Sequence, residues 1–321
     1  MTLSVPHNFN FWRTVYSHGW CSLPPFLVDK ETRTLRIVFD VGPGDPAGVE
    51  VCQPRRGILA IKAQRGTLSS PGKRRLLEGL RTVLRLDEDL SEFYAQARRH
   101  GRFRWVSRMG AGRLLRAPTV FEDVVKMICT TNCSWALTET MVNRLCAKLG
   151  RSEGVHTDTR HDFRLHSPHV RPLKDFGPQA GFAFPQPEAV ADCSEKFLRK
   201  EIHAGYRAPY LLQLSRRVVK GQLDLESWRT VDAPTEELYK EVSSVKGVGP
   251  YAAGNILKLL GRYDYLAIDS WCRKTFFEIH KNGRRTNDRI IERFYEPFGK
   301  WKGLFFWMDL TKSWYEHDVP F

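Results

Sequence analysis

One stretch, residues 235–274, constrains this chain more than any other: TEELYKEVSSVKGVGPYAAGNILKLLGRYDYLAIDSWCRK. A short polar helix is expected over 235–242. A hairpin follows, Val245-Lys246-Gly247-Val248-Gly249, and Pro250 then opens an apolar helix that runs through Leu260. Glycine permits unusual φ and close backbone approach. Proline at the first helical position gives up only an N–H that would be unpaired anyway. The free N–H groups at such a helix start favour a phosphate. Twenty residues beyond Gly249, after the apolar approach Tyr265-Leu266-Ala267-Ile268, Asp269 stands just before another helix. The pattern reads as a grip on a nucleic-acid backbone with a carboxylate held beside it. The plainer alternatives are an ordinary helix–turn–helix connection and, for Asp269, a helix cap. A cap and a catalytic role are compatible.

Charge points to the same partner. The chain of 321 residues carries 50 Lys+Arg against 36 Asp+Glu, a net charge of +14, which favours a polyanion. Sixteen Lys/Arg and five Asp/Glu fall between 54 and 116. Aromatic residues make up 12% of the chain, enough to argue against disorder. Seven cysteines stand at 21, 52, 129, 133, 146, 193 and 272, an odd number without a Cys-x-x-Cys pair. Neither a structural zinc nor an iron–sulfur cluster is indicated, and reduced thiols are expected. No charged-then-apolar leader and no apolar run near 18 residues occurs, so a soluble intracellular protein, cytoplasmic or nuclear, is expected and no membrane partner.

Taken in order, the chain begins with an aromatic segment and a helix over 10–17. Three β-type runs follow at 34–40, 48–53 and 57–64, separated by Gly/Pro turn chemistry. They predict a small antiparallel sheet. Residues 73–86 are helical in period, with Leu76, Leu80 and Val83 inward and Arg74, Arg81 and Arg85 mostly on the wet side. Thr119 to Glu122 reads as a capping box, opening a helix that Thr130-Thr131-Asn132 breaks before a second helix over 134–149. Residues 151–188 interrupt the pattern. They hold His156, His161, His166 and His169 without a fixed ligand geometry, and a surface insertion is expected rather than a metal site. The fold class is α+β, mostly helical. An N-terminal sheet-containing domain is expected over 1–105 and a helical domain over 106–321.

The hairpin, its spacing to Asp269 and the upstream Gly205-Tyr206-Arg207 together resemble the helix-hairpin-helix DNA glycosylases, most of all their 8-oxoguanine branch. The resemblance extends over nearly the whole chain. It implies a partner, double-stranded DNA, bound by a monomer through the backbone of Gly247, Val248 and Gly249. It allows a monovalent cation on the hairpin carbonyls and implies no other cofactor. An enzyme acting on a base within a duplex must rotate the nucleotide out. By resemblance, Asn132 fills the vacated space, Tyr206 wedges beside the orphaned base and Arg207 donates hydrogen bonds to it. Asp269 is the catalytic candidate, because cleavage passes through a positively charged sugar that a carboxylate stabilises.

The departure is Tyr251. Members that also cleave the strand have there a lysine that forms a Schiff base, and a phenol cannot. Lys246 and Lys258 are expected to point elsewhere. A monofunctional, water-using glycosylase follows. The expected base pocket is Tyr251, Asn255, Lys302 and Phe306, with Phe306 stacking on the extruded base and Lys302 reading its edge. A lysine in place of an amide, and Leu137 in place of a second arginine, argue against 8-oxoguanine opposite cytosine as the chief substrate. By resemblance the default is excision of a damaged purine, oxidised or alkylated. A second reading is removal of a hypermodified base, such as glucosylated hydroxymethylcytosine, from phage DNA. A third is a DNA-binding module without chemistry.

Overall fold

A computed structural model describes residues 1–41, 46–64, 68–152 and 181–316. The histidines of the expected insertion lie outside the described residues, while Ser152 and Phe182 on its flanks form an antiparallel bridge.

Five strands form one antiparallel sheet: β1 (Thr2–Ser4), β2 (Phe26–Asp29), β3 (Thr34–Phe39), β4 (Ala47–Arg55) and β5 (Ile58–Ala63), in the order β1-β5-β4-β3-β2. The alternation predicted for the three longer strands sets their register. Leu35 pairs with Val51 and Ile37 with Val49, all four fully buried. Strands β1 and β2 escape sequence reading because three or four residues carry too little period-two signal.

Helix α1 (Phe11–Val15) precedes β2. Helix α2 (Ser70–Val83) lies on the sheet through Leu76, Leu80 and Val83, and a Cβ on Gly79 would stand 2.8 Å from the Phe39 ring. Beyond it come α3 (Ser91–Arg99) and α4 (Arg104–Met109), then α5 (Val120–Thr130) and α6 (Trp135–Leu149). The capping box at α5 forms only in half. Thr119 accepts from the Glu122 N–H at 3.2 Å, but the Glu122 carboxylate turns inward to Lys126 at 2.6 Å. Glu226 instead accepts from the N–H groups of Val120 and Phe121.

The remaining helices are α7 (Pro187–Ala191), α8 (Glu195–Lys200), α9 (Ala208–Val219), α10 (Thr235–Ser243), α11 (Pro250–Leu260), α12 (Ser270–Lys281), α13 (Asp288–Tyr295), α14 (Lys302–Leu310) and α15 (Lys312–Glu316). Two cores result. One joins the sheet to α2, α5, α6 and α8 to α11. The other joins α3 and α4 to α12–α15 through Phe93, Phe103, Phe276, Tyr295 and Phe305. The chain thus crosses to the second core at Leu90 and back again, so the cores do not divide at residue 105. Asp309, buried in the second core, accepts from Tyr295, His280 and Arg102.

Candidate active site

The hairpin forms as its sequence demands. Gly247 has φ +93°, in the left-handed region, and a Cβ there would stand 2.6 Å from the Tyr210 ring. Gly249 is the N-cap of α11 and has nothing within 4 Å of its would-be Cβ, so its surface is open. Val245 and Val248 anchor the turn in the first core. The N–H groups at the start of α11 therefore have a rigid support and open space above Gly249, the geometry that takes a phosphate.

Helix α11 buries Ala252, Ala253, Ile256 and Leu257 on one side. Its other face, Tyr251, Asn255 and Lys258, is spaced i, i+4, i+7 and lines a cavity of about 140 Å³. Asp269 enters from the start of α12, and its Oδ1 accepts from the Cys272 N–H at 2.7 Å. The helix-cap role of Asp269 is thus real, and the same carboxylate borders the cavity. Burial, with Asp269 nearby, pushes the Tyr251 phenol well up, so it stays protonated.

The cavity lies at the seam of the two cores. From the first come Met127 and Thr130 of α5; from the second, Trp271 and Cys272 of α12 and Trp307 of α14. His18, Gly19 and Trp20, from the segment before β2, close another side. Burial drives the His18 imidazole down to about 3, so it is neutral, and its Nε2 bonds the Leu115 carbonyl. Trp20 donates to Asp123 at 2.8 Å and Trp307 to the Ser17 carbonyl at 3.0 Å, which fixes both rings. None of these N-terminal groups was legible as a site residue, since nothing local in 17–20 marks a pocket.

Two expected pocket residues lie elsewhere. Phe306 is 1% exposed, in the second core against Tyr295, and the next residue, Trp307, faces the cavity. One residue on a helix is a turn of about 100°, so a pattern set one position off selects the wrong face of α14. Lys302 lines a neighbouring groove that shares Tyr251 with the cavity, and its ammonium pairs with Glu296 at 3.1 Å. Lys258, by contrast, was expected to point away and lines the cavity. Seven residues are two nearly whole turns, which returns it to the face of Tyr251.

Asn132 is exposed at the corner between α5 and α6, with φ +48°. Tyr206 is 43% exposed, and its hydroxyl donates to the Thr131 carbonyl at 3.1 Å, so the two expected intercalating side chains stand on neighbouring tips beside Thr130 of the cavity. Arg207 corrects the expectation. It is 3% exposed, stacked on the Tyr206 ring and donating to the same Thr131 carbonyl, so it braces the tip instead of facing outward. Arg85 also proves buried; its guanidinium pairs with Glu88 and donates to the Lys258 and Leu259 carbonyls, capping the end of α11.

This fold with a hairpin, cavity and carboxylate defines a class. It matches the 3-methyladenine DNA-glycosylase from Archaeoglobus fulgidus with a TM-score of 0.70 at 17% identity, covering 98% of this chain and 99% of that one. The 8-oxoguanine glycosylase/lyase of Clostridium acetobutylicum matches at 0.69 and 18% identity, covering 96% and 95%. No family model matches the sequence. In sequence the chain is 30% identical over 283 residues to the probable N-glycosylase/DNA lyase of Methanothermobacter thermautotrophicus, covering 86% of this chain and 84% of that protein. The chain belongs to the helix-hairpin-helix DNA glycosylases. Among the described residues, no helix is long and apolar enough to cross a membrane.

Proposed function

We propose that this DNA glycosylase is monofunctional: it draws a damaged base from duplex DNA into the cavity and releases it by hydrolysis, leaving an abasic site. The observation that carries this is a carboxylate, Asp269, on the border of the cavity while the cavity-lining residue nearest the hairpin on the facing helix is a phenol, Tyr251, and not an amine. As the N-glycosidic bond breaks, Asp269 stabilises positive charge at C1′ and orients the attacking water. The hairpin holds the flanking phosphate, and Asn132 and Tyr206 fill the gap in the stack.

The cavity is small beside the roughly 300–1,000 Å³ of drug-sized sites. Its volume of about 140 Å³ supports a bare base over a glucosylated one. Mass spectrometry of bases released from a panel of modified duplexes tests the reading, with Asp269→Asn as control. Release of glucosylated hydroxymethylcytosine alone would favour the phage-DNA reading. Equal release by the Asn variant would remove Asp269 from the chemistry.

A further inference from the structure

The hydrolysis just described leaves Lys258 without a task. It is 6% exposed, lines the cavity, and makes no hydrogen bond or ion pair among the described residues; its ammonium rests on the Trp307 ring, 4.0 Å from the centroid. Of the other buried cations, Lys126 pairs with Glu122 and Arg85 with Glu88, while Arg113 and Arg207 donate to backbone carbonyls. A buried charge without a partner is expensive. Three donors of a cation thus open onto the space where a flipped base would sit.

Resting on the base-excision reading, we propose that Lys258 donates a hydrogen bond to an acceptor atom of the extruded base, and so favours uncharged, carbonyl-bearing bases over cationic N-alkylated purines. Three physical arguments lead there. An ammonium donates and cannot accept, so it needs a carbonyl oxygen or an unprotonated ring nitrogen. It repels a base that already bears positive charge, and it occupies the Trp307 face on which such a base would gain cation–π attraction. It also answers the need of the leaving group. When the bond between C1′ and the base nitrogen breaks, its electron pair goes to the base. A cationic base departs neutral, whereas an uncharged base departs with negative charge that the ammonium stabilises. Water forms the new C1′–O bond and yields its proton to Asp269 or solvent.

Position argues against the amine as the nucleophile. Seven residues set Lys258 about 10 Å along α11 from Tyr251, away from the hairpin that grips the backbone. The titratable groups around it are Asp269 and Cys272 at α12, Tyr251 on its own helix and His18. Burial keeps the thiol, the phenol and the imidazole uncharged.

The test is single-turnover base release from duplexes identical except for one base: 8-oxoguanine and 5-hydroxymethylcytosine as uncharged probes, 7-methylguanine as the cationic one. Wild type should release at least one uncharged base tenfold faster than 7-methylguanine. Lys258→Met should cut that ratio tenfold or more, mainly by slowing the uncharged base, and Lys258→Arg should keep part of it. The wild-type ratio should also fall from pH 7 to pH 9, a readout that needs no variant. A wild-type preference for 7-methylguanine, or equal slowing of every base in Lys258→Met, overturns the proposal. So does a borohydride-trapped adduct that Lys258→Met abolishes. If bases are released with a ratio indifferent to Lys258, excision stands and this proposal alone falls. If no duplex loses a base although wild type and Asp269→Asn bind DNA alike, excision fails as well.

Discussion

The Lys258 ammonium stands 4.0 Å from the centroid of the Trp307 indole, linking the helix behind the hairpin to the helix that closes the second core. Burial pulls this lysine down to about 8, and the Asp269 carboxylate pulls the other way.

That shift fixes a stability prediction. The unfolded chain holds the proton up to about 10.4. The folded chain releases it from about 8, so the charged form costs stability at neutral pH and the cost fades as pH rises from about 8 towards 10. Lys258→Met should therefore raise stability at pH 7 by roughly 1–3 kcal/mol, while base release slows. Thermal melts at pH 7 and pH 9.5 should show the difference shrinking. A variant less stable than wild type at pH 7 would mean that the lysine is structural.

Asp269→Asn retains an oxygen for the Cys272 N–H and removes the charge. DNA affinity should change little and turnover should drop by a factor on the order of 10² or more. Near-normal single-turnover rates would assign the carboxylate to capping alone.

The two hairpin glycines should respond differently. Gly249 faces open space, so Gly249→Val should leave the melting temperature nearly unchanged and weaken binding to every duplex alike. Gly247 has positive φ and the Tyr210 ring beside it, so Gly247→Val should destabilise the fold by more than about 1 kcal/mol. Binding of wild type should weaken steeply with salt, as phosphate contacts release counterions. Affinity flat between low and physiological salt would move the DNA footprint away from the basic surface.

Borohydride should trap little covalent protein–DNA adduct, since Tyr251 cannot form an imine. Nicked strands should appear only after alkali or an abasic-site endonuclease. Strong trapping that disappears in Lys246→Ala or Lys258→Ala would convert this enzyme from a hydrolase to a lyase.

Local rules are what the sequence determined. Gly247, Gly249 and Pro250 favour a hairpin and a helix start from their local chemistry alone, because φ, chain approach and a missing N–H are properties of single residues. The alternation of Leu35 and Ile37, Val49 and Val51, and Leu59 and Ile61 settled three strands, and the spacing to Asp269 marked a helix cap that also borders the cavity. Tertiary structure decided which faces meet. The rotation of α14 that brings Trp307 rather than Phe306 to the cavity depends on the second core, where Phe306 packs on Tyr295. Arg207 reads as a surface arginine until the Thr131 carbonyl and the Tyr206 ring are placed around it. His18 and Trp20 reach the site only because the sheet-bearing segment folds back over α5, a packing of residues 103 apart in the case of Trp20 and Asp123. Lys258 completes the contrast. Its place on α11 follows from helical period, but only the packed indole of Trp307 and the absence of a carboxylate within bonding distance among the described residues show it to be a cation facing the cavity unpaired.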